Sequence, residues 1–322
     1  MQITRLLRKI ACALLLLAAG NVWAQAPSKT IRWIVPFPPG GITDVLARLI
    51  SVQLQPGLGQ VIVVENRVGA GGMIASEVVA KGPPDGSLLL IGGPIIPTAP
   101  SLYKSLPFDP LRDLAPVAQI GSAANVLVVA PSHAAKSVKD LVEMARRSPG
   151  KLNYASTGNG SVLQLSAEML KRDTKTFIVQ IPYRGSPEAV TAVISGQVDF
   201  LFDNMVASLP QIMGGKLRAL AVTSRERDAS IPGVPTMIES GFPNFVISTW
   251  NGIFTTGGTP AAQVARLDAE VRKVLAMPEV VATINKTGVR VNYLGSADLA
   301  RIVKEEAAHW AGVLKYAGVK PE

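Results

Sequence analysis

The feature that most constrains the fold is an alternation of short β-branched apolar runs with stretches of helical periodicity. The run at 31–35, for example, precedes a helical pattern at 45–54. Repetition of this kind is typical of α/β layers with largely parallel sheets. The predicted strands lie at 31–35, 61–64, 88–91, 126–129, 152–154, 177–181, 198–202, 217–222 and 246–254.

The last third of the chain has a different character. Three consecutive amphipathic patterns, at 260–277, 279–286 and 296–316, predict helices with no strand between them. The last of these begins at Ser296 and places Leu299, Val303 and Trp310 on one face. A chain of 322 residues therefore predicts one large or two medium α/β units followed by helices.

The N-terminus has the organisation of a secretory signal peptide. Three basic residues, Arg5, Arg8 and Lys9, precede an apolar run at 10–19, and a small-x-small site ends at Ala24. The alternative is a single membrane anchor, but the apolar run is shorter than the ~20 residues that a bilayer requires. We therefore expect residues 1–24 to be removed and the mature protein to be periplasmic.

Charge and cysteine content exclude several classes of function. The formal net charge of +9 falls to +6 without the signal peptide, and the chain has no run of four or more basic residues, so a nucleic-acid partner is not expected. The single cysteine, Cys12, leaves with the signal peptide. The mature chain therefore has no disulfide, thiol nucleophile or cysteine-metal site.

A glycine turn follows the first predicted strand, in the sequence IVPFPPGGITDVLARLI at 34–50. Gly40 and Gly41 permit a sharp turn, and Thr43 or Asp44 can cap the helix that follows. A P-loop would require a Lys-Ser/Thr pair after the glycines, and none is present. The remaining interpretations are an ordinary strand-to-helix turn or a helix N-terminus that holds an anion.

A second unit of the same design occurs about 120 residues later, in KLNYASTGNGSVLQLSAEMLK at 151–171. It combines a short strand, a turn with Ser156, Thr157 and Gly158, a candidate cap at Ser161 and an amphipathic helix. Such turns lie at the carboxyl ends of strands, where open α/β sheets bind ligands. We expect the two turns to face one ligand across a cleft between two lobes.

Other candidate motifs are weaker. The sequence VIVVENRVGAGGMIASEVVA at 61–80 departs from the dinucleotide fingerprint because Ile74 occupies its third small position, so a close-packed cleft wall is favoured. Arg184 is a candidate partner for an anion or a solvated surface residue. Asp203 and Asn204 are either polar ligand contacts or a helix cap.

The sequence offers little for catalysis or metal binding. The two histidines, His133 and His309, belong to no HExxH motif, and no Gly-x-Ser-x-Gly elbow is present. Paired carboxylates cannot be recognised from spacing alone, so an exported hydrolase stays open as an alternative. We predict a binding protein with no metal and no cofactor.

A chain of motifs resembles the Bug family of periplasmic solute-binding receptors for tripartite tricarboxylate transporters. The resemblance covers nearly all of the mature chain and is carried by IRWIVPFPPGGITDVLAR, GQVIVVENRVGAGGMIA, PPDGSLLLIGG, LYKSLPFDPLRDLAPVAQIG, LNYASTGNGS, IPYRG, GQVDFLFDN, LRALAVTS, VPTMIESGFPNF and WNGIF. It implies the two-lobed type II periplasmic-binding fold with two hinge strands, near 124–129 and 249–255. One lobe would comprise 27–124 plus 251–322, and the other 125–250.

The resemblance also implies a function. Family members capture small carboxylates (amino acids, di- and tricarboxylates or aromatic acids) through backbone N–H groups and waters, and deliver them to membrane permease subunits. In the helix after the second glycine turn, family members commonly have a histidine where this chain has Gln164. We expect the protein to be a monomer. A ligand-sensing co-receptor for a signalling system stays open as an alternative to the transport receptor. The expected ligand-binding residues are Phe37, Pro39, Gly40, Gly41, Thr43, Asp44, Ser156, Thr157, Gly158, Ser161, Gln164, Arg184 and Asp203.

Overall fold

A computed structural model describes residues 30–158, 160–316, 318, 319 and 321. The predicted signal peptide at 1–24 lies outside the described residues. Among the residues that are described, no helix combines the length and apolar composition that crossing a membrane requires.

The first part of the chain begins with the predicted strand, glycine turn and helix, and ends in a long strand. The helix starts at Ile42, directly after the two glycines, and ends at a left-handed Gly59. The elements are β1 (Ile31–Val35), α1 (Ile42–Leu58), β2 (Ile62–Asn66), a 3-10 turn (Ala70–Gly72), α2 (Met73–Ala80), β3 (Leu88–Gly92), α3 (Ile95–Leu102) and β4 (Leu114–Val129).

The rest of the chain alternates strands and helices and then becomes mainly helical, as the periodicity predicts. The elements are α4 (Val138–Arg147), β5 (Asn153–Ser156), α5 (Val162–Thr174), β6 (Val179–Pro182), α6 (Ser186–Ile194), β7 (Phe200–Asn204), α7 (Met205–Met213), β8 (Arg218–Val222), β9 (Ser248–Thr256), α8 (Ala261–Leu275), α9 (Pro278–Lys286), β10 (Arg290–Gly295) and α10 (Ser296–Tyr316). Strand β10, between the last two helices, is one that the sequence pattern does not predict.

The sheet is mixed, whereas the alternation predicts largely parallel pairing. Strand β1 pairs in parallel with β2 and β3, and β5 pairs in parallel with β6 and β7. The centre is antiparallel, because β9 runs against both β3 and β4, and β4 runs against β7, β8 and β10. Parallel βαβ units therefore form the two outer parts, and antiparallel strands join them.

Strand β4 connects two halves of the molecule. Its segment from Leu114 to Ala124 pairs with β9, and its segment from Asn125 to Val129 pairs with β7. We call the half built on β1, β2, β3, β9 and β10 the first lobe, and the half built on β5 to β8 the second lobe. The predicted residue boundaries of the lobes remain a prediction.

Helix α10 also spans the two lobes. Near its start, Leu299 and Val303 pack in a cluster with Ile34 of the first lobe. Near its end, Trp310 and Leu314 belong to the buried cluster of the second lobe, which contains Tyr154 and Phe200. The helix is thus a third connection between the lobes, in addition to the chain crossings within β4 and at the start of β9.

Candidate functional site

A cavity of about 300 Å³ lies between the lobes, within the size range of small-molecule sites. The first lobe contributes the loop after β1, the turn before α2 and the loop after β3. The second lobe contributes the loop after β5, and β9 contributes residues from the connection between the lobes. The two glycine turns predicted from the sequence therefore meet at one cavity.

We call the connection between β1 and α1, together with the first turn of α1, the first loop. Its residues Phe37 and Thr43 line the cavity. Gly41 has an extended backbone and precedes the first residue of α1. Since Val45 N–H donates to Gly41 O, the three N–H groups at 42–44 come before the first intrahelical bond. These groups are the backbone donors that the start of α1 can offer to a ligand.

Gly40 and Asp44 stabilise this loop from within. The Gly40 backbone has a positive φ of 83°, and its N–H donates to Asp44 Oδ2 at 2.9 Å. The buried Asp44 carboxylate also accepts from Arg48 Nε at 3.0 Å and Asn66 Nδ2 at 2.9 Å. Chiefly through the Arg48 hydrogen bond, the pKa of Asp44 is lowered to about 2. Gly40, Gly41, Asp44 and Pro39 thus shape the loop and do not line the cavity.

We call the connection between β5 and α5 the second loop. Its residues Thr157, Gly160 and Ser161 line the cavity. Ser161 caps α5, because its Oγ accepts from Gln164 N–H at 3.2 Å. The same hydroxyl donates to Gly158 O at 2.8 Å. The turn is therefore fixed against the helix, with its polar groups at the edge of the cavity.

The buried Gln164 supports this loop from behind. Its Oε1 accepts from Gly160 N–H at 2.7 Å, and its Nε2 donates to Gln180 Oε1 at 3.1 Å. Gln180 Nε2 in turn donates to Ser156 Oγ at 2.7 Å, which accepts from Gly158 N–H at 3.3 Å. Gln164, Ser156 and Gly158 thus form a network behind the cavity wall, where the uncharged amide replaces the titratable ring implied by the family resemblance.

Two of the predicted ligand contacts lie elsewhere. Arg184 is exposed, and its backbone N–H donates to Glu188 Oε2 at 3.1 Å. Asp203 is fully buried and accepts from Ser186 Oγ at 2.7 Å and Ser208 Oγ at 2.7 Å. Burial raises the pKa of Asp203 above its usual range. Neither residue lines the cavity.

Two segments that the sequence reasoning did not select complete the cavity. The loop after β3 contributes Ile95 and Ile96, and β9 contributes Trp250 and Asn251. A Cβ at Gly93 would lie 2.9 Å from Trp250 O, so this glycine allows the two segments to approach closely. A Gly-Gly turn directly after an apolar strand and the WNGIF motif were the sequence signals for these residues.

The cavity combines helix N-termini, among them those of α1 and α5, with a neutral lining. Thr43 lies in the first turn of α1, and Ser161 caps α5. Among the described residues that line the cavity, no side chain is ionisable at neutral pH. The positive ends of two helix dipoles and uncharged donors suit an anion that must be bound and released.

Glu306 of α10 contacts the cavity wall from behind. Its carboxylate accepts from Trp250 Nε1 at 3.0 and 3.1 Å. Burial raises the pKa of Glu306 to about 7, while the hydrogen bond from the Trp250 indole acts in the opposite direction. The bond thus links the helix that spans the lobes to Trp250 in the cavity wall.

Replacing Glu306 with glutamine should change the pH dependence of stability. A carboxyl whose pKa is raised from 4.5 to about 7 favours folding when protonated, so its contribution is lost as pH rises through this window. With allowance for partial exposure, the wild type should lose on the order of 2 kcal/mol relative to Glu306→Gln between pH 4.5 and 7.5. Urea unfolding of both proteins across this range measures the difference.

Glu305 provides the matched control, because it is an exposed neighbour bonded only to Arg301 among the contacts described. Glu305→Gln should keep the pH profile of the wild type. A stability difference between wild type and Glu306→Gln that stays constant from pH 4.5 to 7.5 would contradict the assignment.

Within the described part of the chain, no group of three or more His, Cys, Asp or Glu side chains is arranged to hold a metal ion. His133 Nε2 lies 3.6 Å from Asp199 Oδ1. The backbone carbonyl of His133 accepts a hydrogen bond from Arg218 Nη1 at 3.2 Å. These contacts belong to the second lobe and involve no residue that lines the cavity.

Comparison with known proteins adds independent information. Residues 46–319 match the family model TctC, the tripartite tricarboxylate transporter family receptor. The chain is also 37% identical over 328 residues to Protein BugT of Bordetella pertussis, with 99% of each chain covered.

Solved structures share the fold over nearly the whole chain. A structure described as R. palustris Rpa4515 with adipate has a TM-score of 0.79 and 35% identity, and the match covers 92% of this chain and 100% of that one. MatC (Rpa3494) from Rhodopseudomonas palustris with bound malate has a TM-score of 0.73 and 33% identity, with 89% and 99% covered.

Proposed function

The chain belongs to the tripartite tricarboxylate transporter receptor family, and from this premise we propose that it is a periplasmic receptor for a small carboxylate. Membership confirms the resemblance to the Bug family and the two-lobed fold. Proteins of this family and the matched structures are binding proteins, and two of those structures contain adipate and malate.

The observation that carries the proposal is the meeting of two helix N-termini at one cavity. Thr43 on the first lobe and Ser161 on the second line the same space, and no charged side chain lines it among the described residues. We propose that the carboxylate binds there, with Phe37 and Thr157 beside it. Asp44 and Gln164 hold the two loops in position.

The expected free energy of binding agrees with reversible binding of a carboxylate. Each helix N-terminus favours an anion by about 0.3–1 kcal/mol, and each hydrogen bond to a charged group contributes about 1.5–3 kcal/mol. A few such bonds in a closed cleft give about 8 kcal/mol, which corresponds to micromolar affinity. Hinge motion between the lobes would admit the ligand and exclude water around it.

We further propose that the loaded receptor presents its ligand to permease subunits of a tripartite transporter in the membrane. Export of the mature chain rests on the signal peptide predicted at residues 1–24. The neighbourhood of the gene offers a direct check, since two membrane components beside it support uptake and a histidine kinase supports sensing.

A melting screen tests the carboxylate proposal. Adipate, malate, benzoate and glutamate are compared with their corresponding amides, which lack the carboxylate groups. A ligand at a hundred times its Kd stabilises the folded state by about 2.7 kcal/mol, so at least one acid should raise Tm by about 5 °C. Stabilisation by neutral sugars or metal ions, with none by any acid, would contradict the proposal.

A further inference from the structure

The part of the cavity formed by Thr249 and Asn251 of β9, which we call its floor, contains a polar side chain with no hydrogen-bond partner among the described residues. Asn251, on β9, is 5% exposed and lines the cavity. Its carboxamide makes no hydrogen bond to any other residue in the described ranges. An amide that makes no hydrogen bond to the protein and lines a cavity is available to a ligand.

A second amide lies directly behind the floor. Thr249 lines the cavity, and its Oγ1 donates to Asn125 Oδ1 at 3.3 Å. Asn125 is 1% exposed, and its Nδ2 is buried without a hydrogen-bond partner among the described residues. The floor is thus polar and incompletely satisfied, although it is uncharged.

The walls next to this floor are apolar. Ile95 and Ile96 line one side, and the Trp250 ring belongs to the buried cluster beneath. The indole N–H of Trp250 already donates to Glu306, so the indole offers the ligand only apolar surface. These walls suit a ligand with an apolar body.

The surroundings disfavour a second negative charge at the floor. No Lys, Arg or His side chain lines the cavity among the described residues. The carboxyl group of Glu306 lies behind Trp250, bonded to its indole. A carboxylate at the floor would meet no cationic side chain among the described residues, whereas a hydroxyl or carbonyl would meet the amide of Asn251.

We propose that the receptor is selective for carboxylates with an apolar body and an uncharged hydroxyl or carbonyl at the distal end, which Asn251 recognises. This inference rests on the proposed function, because it assigns the ligand's other end to the two helix N-termini. The size agrees, since an apolar cavity of ~150 Å³ holds benzene and this cavity measures about 300 Å³.

Two series of ligands differ only at the distal group and test the proposal. One is hexanoate, 6-hydroxyhexanoate and adipate, and the other is benzoate, 4-hydroxybenzoate and terephthalate. Calorimetric titration of the full mature protein should give a Kd about tenfold lower for the hydroxylated member than for either other member of its series. This ranking requires no variant, so it is decided even if a substitution impairs folding.

Asn251→Leu then assigns the preference to this residue. The variant keeps the side-chain size and removes the hydrogen bonds, so it should lose the tenfold preference for the hydroxylated ligand over the unsubstituted acid. Asn244→Leu is the control, because Asn244 is exposed on the second lobe and does not line the cavity. It should keep the wild-type ranking.

The outcomes separate this inference from the proposed function. Tighter binding of adipate or terephthalate, or an unchanged preference in Asn251→Leu, would overturn the inference and leave carboxylate binding intact. Binding of hexane-1,6-diol as tightly as 6-hydroxyhexanoate would overturn the proposed function as well. Absence of binding in both series would overturn the inference, since both contain ligands that satisfy it.

Discussion

Replacing Gly160 with valine should raise the Kd for a bound carboxylate about a hundredfold. Gly160 has a positive φ of 75° and lines the cavity. A Cβ there would overlap the buried Leu102 of α3, which packs in the same cluster as Tyr154 and Phe200. Calorimetry with the acid that raises Tm most in the melting screen measures the change.

The size of this effect follows from the bonds that the second loop supplies. Displacing Gly160 moves Thr157 and Ser161 and breaks the bond from Gly160 N–H to Gln164. Loss of one or two hydrogen bonds to the carboxylate costs about 3 kcal/mol, which is about a hundredfold in Kd.

Gly196 gives a matched control for backbone strain. Its φ of 74° is nearly the same, a Cβ at this position would have no described atom within 4 Å, and it follows α6 away from the cavity. Gly196→Val should lower Tm through the same strain and change Kd less than twofold. Equal loss of affinity in both variants would show that the second loop has no special role in binding.

The second large effect concerns stability. Asp44→Ala should lower the free energy of unfolding by about 2–4 kcal/mol at neutral pH, because it leaves Gly40 N–H without its acceptor and removes one of the two acceptors of Asn66 Nδ2. The variant should also bind ligand less tightly, since the first loop loses its internal support. Urea unfolding and calorimetry measure the two effects.

The pH profile identifies the cause. Because the pKa of Asp44 is lowered to about 2, its stabilising contribution is present above about pH 4 and is lost as pH falls towards 2. The difference between wild type and Asp44→Ala should therefore shrink over that window. Asp298→Ala is the control, because Asp298 is an exposed partner of Arg301 and should change stability by less than about 0.5 kcal/mol. Equal losses in the two variants would contradict the network.

Local sequence patterns predict the helices and strands whose formation depends on a short stretch of chain. The run at 31–35 is a strand, and α10 has the predicted bounds of 296–316. The first half of β4 was not predicted, because Pro116 and Gly121 interrupt its apolar pattern. Its place in the sheet depends on β9, more than a hundred residues away, and no local signal reports such a pairing.

The residues of the candidate site also fall into those that local sequence patterns predict and those that depend on distant parts of the chain. The two turns were predicted because a glycine-rich loop before an amphipathic helix is a local signature, and both reach the cavity through Thr43 and Ser161. The same signature makes Gly40 a candidate ligand donor, but its N–H is bonded to Asp44. Trp250 and Asn251 were not selected, because their position at the cavity follows from the crossing of two distant strands.

The most direct measurement is a crystal structure of the mature protein with the acid that raises Tm most in the melting screen. Both lobes should contact the ligand, and its carboxylate should lie within about 3.2 Å of N–H groups or bridging waters at the starts of α1 and α5. A carboxylate bound outside the cleft, or held by a surface lysine or arginine, would contradict this expectation.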